Sequence, residues 1–180
     1  IQGFFDMPVD NLFTTPIFAR FIKKNIKSKN LICVSPDAGA IERTRGLATK
    51  INADLGIIDK RRPEPGKSKV MNIIGDVKGK DCMIIDDIID SGGTIINAAD
   101  ALIKKGAKNV HVFITHAVLS GDAINKIQKS KIKKLIITDT IDNSKRIKNV
   151  SKIQVLSIAP LMAEAIKRIS NSTSVSSLFN

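Results

Sequence analysis

The chain has 180 residues, 43 % of them hydrophobic, with 29 Lys and Arg against 17 Asp and Glu for a formal net charge of +12. That length suits one ordinary domain with a sizeable core, and no apolar run approaches the ~20 residues of a membrane-spanning helix. The positive balance attracts anions, but there is no Trp or Tyr and the Phe residues are not interleaved with the lysine-rich stretch 126–152 as stacking platforms would be, which argues against nucleic acid and leaves a solvated lysine face.

Residues 1–10 have neither a basic start nor a long apolar block, so they do not read as a secretory signal. The sequence begins without Met and in mid-motif, the expectation for a piece of a longer protein. Cys33 and Cys82 each sit inside an apolar run, without metal-ligand spacing around them. Buried, reduced thiols are the plain reading, and a disulfide or metal pair is the alternative. Reduced thiols favour the cytoplasm.

Residues 1–13 read as irregular, with Pro8 as a breaker. Thr14-Thr15-Pro16 reads as a helix start, with a capping hydroxyl and Pro at the first helical position. Ile17, Phe18, Phe21 and Ile22 then share one face. Leu31-Ile32-Cys33-Val34 is a short strand ending in the turn Ser35-Pro36-Asp37-Ala38-Gly39. A second helix carries Ala40, Leu47, Ala48 and Ile51 inward, and Leu55-Gly56-Ile57-Ile58 is the next strand. Residues 59–69 are highly charged, with two prolines and a glycine, and are expected to form an exposed, mobile loop. Residues 70–75 resume a strand and 76–80 turn. Cys82-Met83-Ile84-Ile85 is the central strand, and 86–94 the loop after it. Ile95, Ala98, Ala99, Leu102 and Ile103 then repeat as one face of a helix that Gly106 stops. Strands follow over 110–117, 135–138 and 153–158, with a short helix over 123–127. Ala159-Pro160 opens a last helix with Met162, Ala165, Ile166 and Ile169 on one face. A Ser- and Asn-rich link leads to a final strand over 175–179.

Strands alternating with helices, and nearly continuous apolar runs on the strands, predict an α/β fold with a mostly parallel sheet and helices on both faces. Ligands in such sheets bind outside the carboxyl ends of strands. The loops 35–39, 59–69 and 86–94 are therefore predicted to converge on one cleft.

The central loop carries the most chemistry. Asp86 and Asp87 can accept hydrogen bonds from vicinal ribose hydroxyls, directly or through Mg²⁺. Asp90, Ser91, Gly92, Gly93 and Thr94 are small enough for backbone amides to approach an anion. The helix starting there offers unpaired N–H groups and about half a positive charge. A helix with acids in its first turn is the alternative. His111, inside a strand, reads as structural. His116, at a strand's end, faces either core or cleft.

The run Ile84-Ile85-Asp86-Asp87-Ile88-Ile89-Asp90-Ser91-Gly92-Gly93-Thr94 resembles the PRPP-binding signature of the phosphoribosyltransferase superfamily. Gln2-Gly3-Phe4-Phe5-Asp6-Met7-Pro8-Val9-Asp10, Val34-Ser35-Pro36-Asp37, Ile58-Asp59-Lys60-Arg61-Arg62-Pro63, Val70-Met71-Asn72-Ile73-Ile74-Gly75-Asp76-Val77 and Thr138-Asp139-Thr140 resemble the ribose-phosphate pyrophosphokinase (PRPP synthetase) family. The resemblance runs over residues 1–179 and implies a type I phosphoribosyltransferase-like fold. It implies transfer of the diphosphoryl group of ATP to the C1 hydroxyl of ribose 5-phosphate, giving PRPP and AMP. Asp86, Asp87, Asp90, Ser91, Gly92, Gly93 and Thr94 would hold ribose 5-phosphate. Lys60 and Arg62 would be the catalytic pair on a flexible loop, although alone they read as a solvated basic loop. Asp37 would be an Mg²⁺ ligand. A homo-oligomeric, cytoplasmic enzyme with no nucleic-acid or membrane partner is implied.

Members of that family are nearly twice this length, and their N-terminal half carries most adenine-binding residues and a metal-binding histidine. The expected organisation is a phosphoribosyltransferase-like domain over 1–158, followed by a helix and strand over 159–180 that pack on an N-terminal domain outside this sequence. Met162, Ile166, Ile169 and Phe179 should then be exposed here, and catalysis by this chain alone weak or absent. Two rivals are a non-catalytic subunit associated with such an enzyme, and a phosphoribosyltransferase that consumes PRPP. The latter needs a base-recognition hood that the sequence does not display.

Overall fold

The apolar runs pair into a single sheet. The computed structural model describes residues 2–61 and 70–179, without the side chains of Gln2, Lys60, Arg61, Val70 and Met71. Its strands are β1 (Leu31–Ser35), β2 (Asp54–Arg61), β3 (Val70–Ile74), β4 (Asp81–Ile89), β5 (Asn109–Ala117), β6 (Lys134–Thr138) and β7 (Ile153–Leu156). The helices are α1 (Thr15–Asn25), α2 (Ile41–Ile51), α3 (Gly93–Lys104), α4 (Ala123–Lys129), α5 (Ser144–Ile147) and α6 (Ala159–Ser170). The sheet order is β3-β2-β1-β4-β5-β6-β7. Every neighbouring pair is parallel except β2–β3, an antiparallel hairpin at one edge.

Alternate strand residues feed two cores. Cys33, Met83, Ile85, Phe113 and Ile136 pack with Phe18 and Ile22 of α1 and with Leu47, Ala48 and Ile51 of α2. Ile32, Val34, Ile84, Val112 and Ile137 pack on the other face with α3, α4 and α5, through residues such as Ala98, Leu102, Ile127 and Ile147. The predicted mostly parallel sheet covered on both faces is thus observed. Both cysteines are buried and unpaired, and burial pushes each thiol up to about 12.

Several local expectations change. Asp59, Lys60 and Arg61 are not in a loop. They continue β2 and pair with Asn72, Met71 and Val70, because an adjacent strand offers the charged run a ladder of backbone bonds that composition alone does not reveal. The remainder of that predicted loop, Arg62 included, lies outside the described residues. Thr14 precedes α1 as expected, but its side chain makes no cap bond. Its hydroxyl instead meets Thr115 Oγ1 on β5 at 2.9 Å. The short helix α5 had no sequence signal. The tail, expected as a strand, forms a 3₁₀ turn over Ser176–Leu178, since a strand needs a neighbour to pair with. Among the described residues no helix is long and apolar enough to cross a membrane.

Candidate phosphoribose site

The strand order reverses between β1 and β4. β1 leads to β2 on one side, while the later strands build outward from β4 on the other. That switch point opens a crevice at the carboxyl ends of the strands, the usual ligand position in such sheets. The two strands end at different heights. β1 pairs with β4 only as far as Val34↔Ile84, whereas β5 continues to pair through Asp86↔Ile114, Ile88↔His116 and Ile89↔Ala117. The paired acids therefore lie within β4 rather than after it, on a strand end that overhangs β1. This corrects the expected boundary at Ile85, and the long β5 is the cause.

Asp86 is half-buried and Asp87 exposed. Arg43, in the first turn of α2, reaches across the gap. Its Nη1 lies 2.9 Å from Asp87 Oδ2 and 3.5 Å from Asp86 Oδ1. Burial raises the Asp86 carboxyl to about 6, although the Asp87 N–H and Arg43 oppose the shift. At Asp87 partial burial acts upward as well, but the Arg43 hydrogen bond and charge prevail and hold its carboxyl below the ordinary range. The two acids thus differ in how readily they give up a proton. Arg43 carried no motif signal. The available clue was only its place one helical turn beyond the turn that ends β1.

After Ile89 the chain turns through Gly92 at φ 78°, a left-handed conformation that favours glycine. Gly92 is the N-cap of α3, and no side chain caps that helix. A Cβ on Gly93 would meet nothing within 4 Å. The first-turn amides of α3 therefore sit beside open space, with Asp90, Ser91 and Thr94 exposed around them. This is the arrangement that favours an anion at a helix N-terminus.

Asp37 lies two residues beyond β1, on the crevice side. Its Oδ1 accepts from Ala40 N at 3.1 Å, and Ser35 Oγ donates to its carbonyl at 2.6 Å. No hydrogen bond to a described residue engages its Oδ2. Mg²⁺ is commonly held by one or two carboxylates plus phosphate oxygens and water, so one free carboxylate oxygen fits that chemistry. Among the described residues no group of three or more His, Cys, Asp and Glu is placed to hold a metal unaided.

A cavity of about 660 Å³ adjoins the acids. It is lined by Gly39, Arg43, Asp86, Asp87 and His116, and roofed by the segment that leads into α1. His116 thus faces the cleft, with Nδ1 at 3.0 Å from Thr140 Oγ1, whereas His111 is buried in β5 as expected. Phe179 also lines this cavity, its ring 5.3 Å from that of Phe13 and nearly perpendicular to it. It is therefore not left exposed, contrary to expectation, because Phe13 supplies an aromatic partner within the chain. The stretch 90–94 does not line this cavity and opens to the adjacent surface. Lys60 is the last but one residue of β2, and its side chain is not described.

A doubly covered parallel sheet, with two acids and a glycine turn at its switch point, places the chain in the phosphoribosyltransferase-like fold class. A solved structure titled as APRTase from Giardia lamblia shares that fold at a TM-score of 0.55 and 13 % identity, over 69 % of this chain and 75 % of its own. Residues 58–180 match the phosphoribosyl synthetase-associated domain, and the chain belongs to that family. It is 54 % identical over 180 residues to ribose-phosphate pyrophosphokinase from Brucella melitensis, covering all of this chain and 58 % of the relative. Against the protein of the same name from Rhizobium meliloti it is 53 % identical, with the same coverage. The crystal structure of phosphoribosylpyrophosphate synthetase from Mycobacterium smegmatis superposes at a TM-score of 0.85 with 34 % identity, over 95 % of this chain and 55 % of that one. The chain spans a little over half the length of these relatives.

Proposed function

We propose that the chain supplies the ribose 5-phosphate side of a ribose-phosphate diphosphokinase, an enzyme that transfers the diphosphoryl group of ATP to the C1 hydroxyl of ribose 5-phosphate. The observation that carries this reading is the overhanging end of β4. Two acids there are followed within five residues by a left-handed glycine and a helix without a side-chain cap. Asp86 and Asp87 would accept hydrogen bonds from the ribose hydroxyls. The amides around Gly92 and Gly93, with the Ser91 and Thr94 hydroxyls, would hold the 5-phosphate, and Asp90 would border the same loop.

In the reaction the C1 oxygen forms a bond to the β-phosphorus of ATP. The bond from that phosphorus to the α–β bridging oxygen breaks, AMP leaves with that oxygen and the electron pair, and the C1 hydroxyl proton passes to solvent. Phosphoryl transfer is mainly positioning and charge stabilisation. Lys60 and Arg62 are proposed to meet the charge that develops on the transferring group. Asp37 would help hold Mg²⁺, which would neutralise phosphate charge. ATP would be recognised mostly by sequence outside this chain, and PRPP would leave from the β4 end. A cytoplasmic setting is consistent with the reduced, buried thiols, and a homo-oligomer is proposed on the family resemblance alone.

Calorimetric titration of the 180-residue chain with ribose 5-phosphate tests the binding reading. Saturable binding that Asp86→Ala weakens at least about tenfold, as loss of a charged hydrogen bond implies, is expected. No heat of binding, or an undiminished affinity in Asp86→Ala, overturns it.

A further inference from the structure

A second cavity, of about 460 Å³, lies at the opposite end of the sheet from the paired acids. It sits beneath the first residues of β4, β5 and β6, with Phe21 and Ile26 at the exit of α1 forming an apolar wall. Four lysines stand around it: Lys27, Lys108, Lys133 and Lys134. Lys134 Nζ is tied to the Ser151 carbonyl at 2.7 Å, while Lys27, Lys108 and Lys133 form no ion pair among the described residues. Asp81, buried at the start of β4, is the single carboxylate on the lining, and it accepts a hydrogen bond from Asn109 Nδ2.

His111 also lines this cavity and is only 8 % exposed. Neither of its ring nitrogens makes a hydrogen bond to a described residue. No sealed side-chain nitrogen or oxygen among the described residues lacks a partner, so the unpartnered imidazole nitrogens are open to the cavity. Burial lowers the His111 pKa, and the Lys133 charge adds to the effect. At neutral pH the ring is therefore uncharged and has one N–H to donate. A ring that is nine-tenths buried yet keeps its nitrogens free and open to a cavity can hydrogen-bond only to what enters that cavity. Here it faces a space lined by three lysines that form no ion pair among the described residues, although the Lys108 charge also acts on Asp81.

We propose that this cavity is a second anion site, which takes a small phosphate-bearing molecule with its phosphate between Lys108, Lys133 and the His111 ring. The apolar wall gives room for an organic body, and the net positive lining excludes cations. The site is separate from the crevice at Asp86, and its occupancy does not depend on the reading given to that crevice.

The chain has two histidines, one on each cavity, so their ring Cε1–H signals report the two sites independently. The chain is titrated with inorganic phosphate and with phenyl phosphate at constant ionic strength, against sodium chloride as the reference. Saturable movement of the His111 signal is expected, with the His116 signal unmoved or following a different curve. Tighter binding of phenyl phosphate identifies an ester as the preferred form, and equal binding identifies free phosphate. The doubly substituted Lys108→Glu, Lys133→Glu chain should weaken the His111 response at least about tenfold, with an unchanged His116 signal certifying the fold. Movement no greater than chloride produces, or an undiminished response in the double variant, overturns the proposal. A ribose 5-phosphate response at His116 belongs to the first cavity and bears on the proposed function alone.

Discussion

Arg43 Nη1 lies 2.9 Å from Asp87 Oδ2, tying the first turn of α2 to the overhanging end of β4. The same guanidinium is 3.5 Å from Asp86. One cation therefore serves two adjacent acids. Replacing it with an uncharged side chain of similar reach, Arg43→Met, should raise the Asp86 pKa above its present value of about 6. Carboxyl ¹³C shifts against pH read this directly, and an unmoved Asp86 titration contradicts it. The stability change should stay within about 1 kcal/mol, because both partners of the closer pair are substantially exposed.

Asp86 also predicts how stability depends on pH. Its folded pKa of about 6 lies above the ordinary 3.8. Between those values the native chain binds a proton that the unfolded chain has lost. The contribution of Asp86 to stability therefore falls as pH rises from about 4 to about 6, and its penalty is fully present above that window. Asp86→Asn removes it. The variant should gain on the order of 1–3 kcal/mol at pH 7.5, and the gain should vanish below about pH 4. Urea melts at the two pH values measure the difference. A gain of equal size at both would show that the burial penalty on Asp86 is not its source.

Gly92 has φ 78°, and a Cβ there would meet Ile96 Cδ1 at an ordinary 3.7 Å. Space is available, so the strain of Gly92→Ala comes from the backbone. A loss of about 1–2 kcal/mol is expected and is read from denaturant midpoints. Ribose 5-phosphate binding should weaken with it, because the turn that aims the α3 amides must relax.

On α6, Met162, Ile166 and Ile169 are exposed and only Ala165 is buried. Three large apolar side chains on one helix face invite self-association. Ile166→Lys with Ile169→Lys should leave the melting temperature almost unchanged, as expected for exposed sites. The same pair should reduce the weight-average mass at high concentration in sedimentation equilibrium. A large fall in melting temperature would instead show that the face is packed within this chain.

The elements were legible because most of them are local. Ile95, Ala98, Ala99 and Leu102 share a face through the 3.6-residue period, and all four are buried. The runs at Ile32-Cys33-Val34 and Cys82-Met83-Ile84 are apolar throughout because helices cover both sides of the sheet. The acid pair and glycine turn could be recognised for the same reason, since their chemistry lies in consecutive residues. The Arg43 contact could not, because it joins residues 43 positions apart.

By itself the sequence determined which apolar runs of the core are strands, which helix faces turn inward, and where a tight turn requires glycine. Those properties follow from side-chain polarity, periodicity and backbone sterics over a few residues. Tertiary structure decided the sheet order, the antiparallel β2–β3 edge, the extension of β4 through Asp86 and Asp87, and the hydrogen bond of Thr14 to Thr115. It also brought Arg43 to the acids and His111 to the lysine-lined cavity. Each of these depends on which distant segment lies alongside. A strand ends where its neighbour stops pairing, and an ion pair forms where two elements meet, so neither can be read from one segment alone.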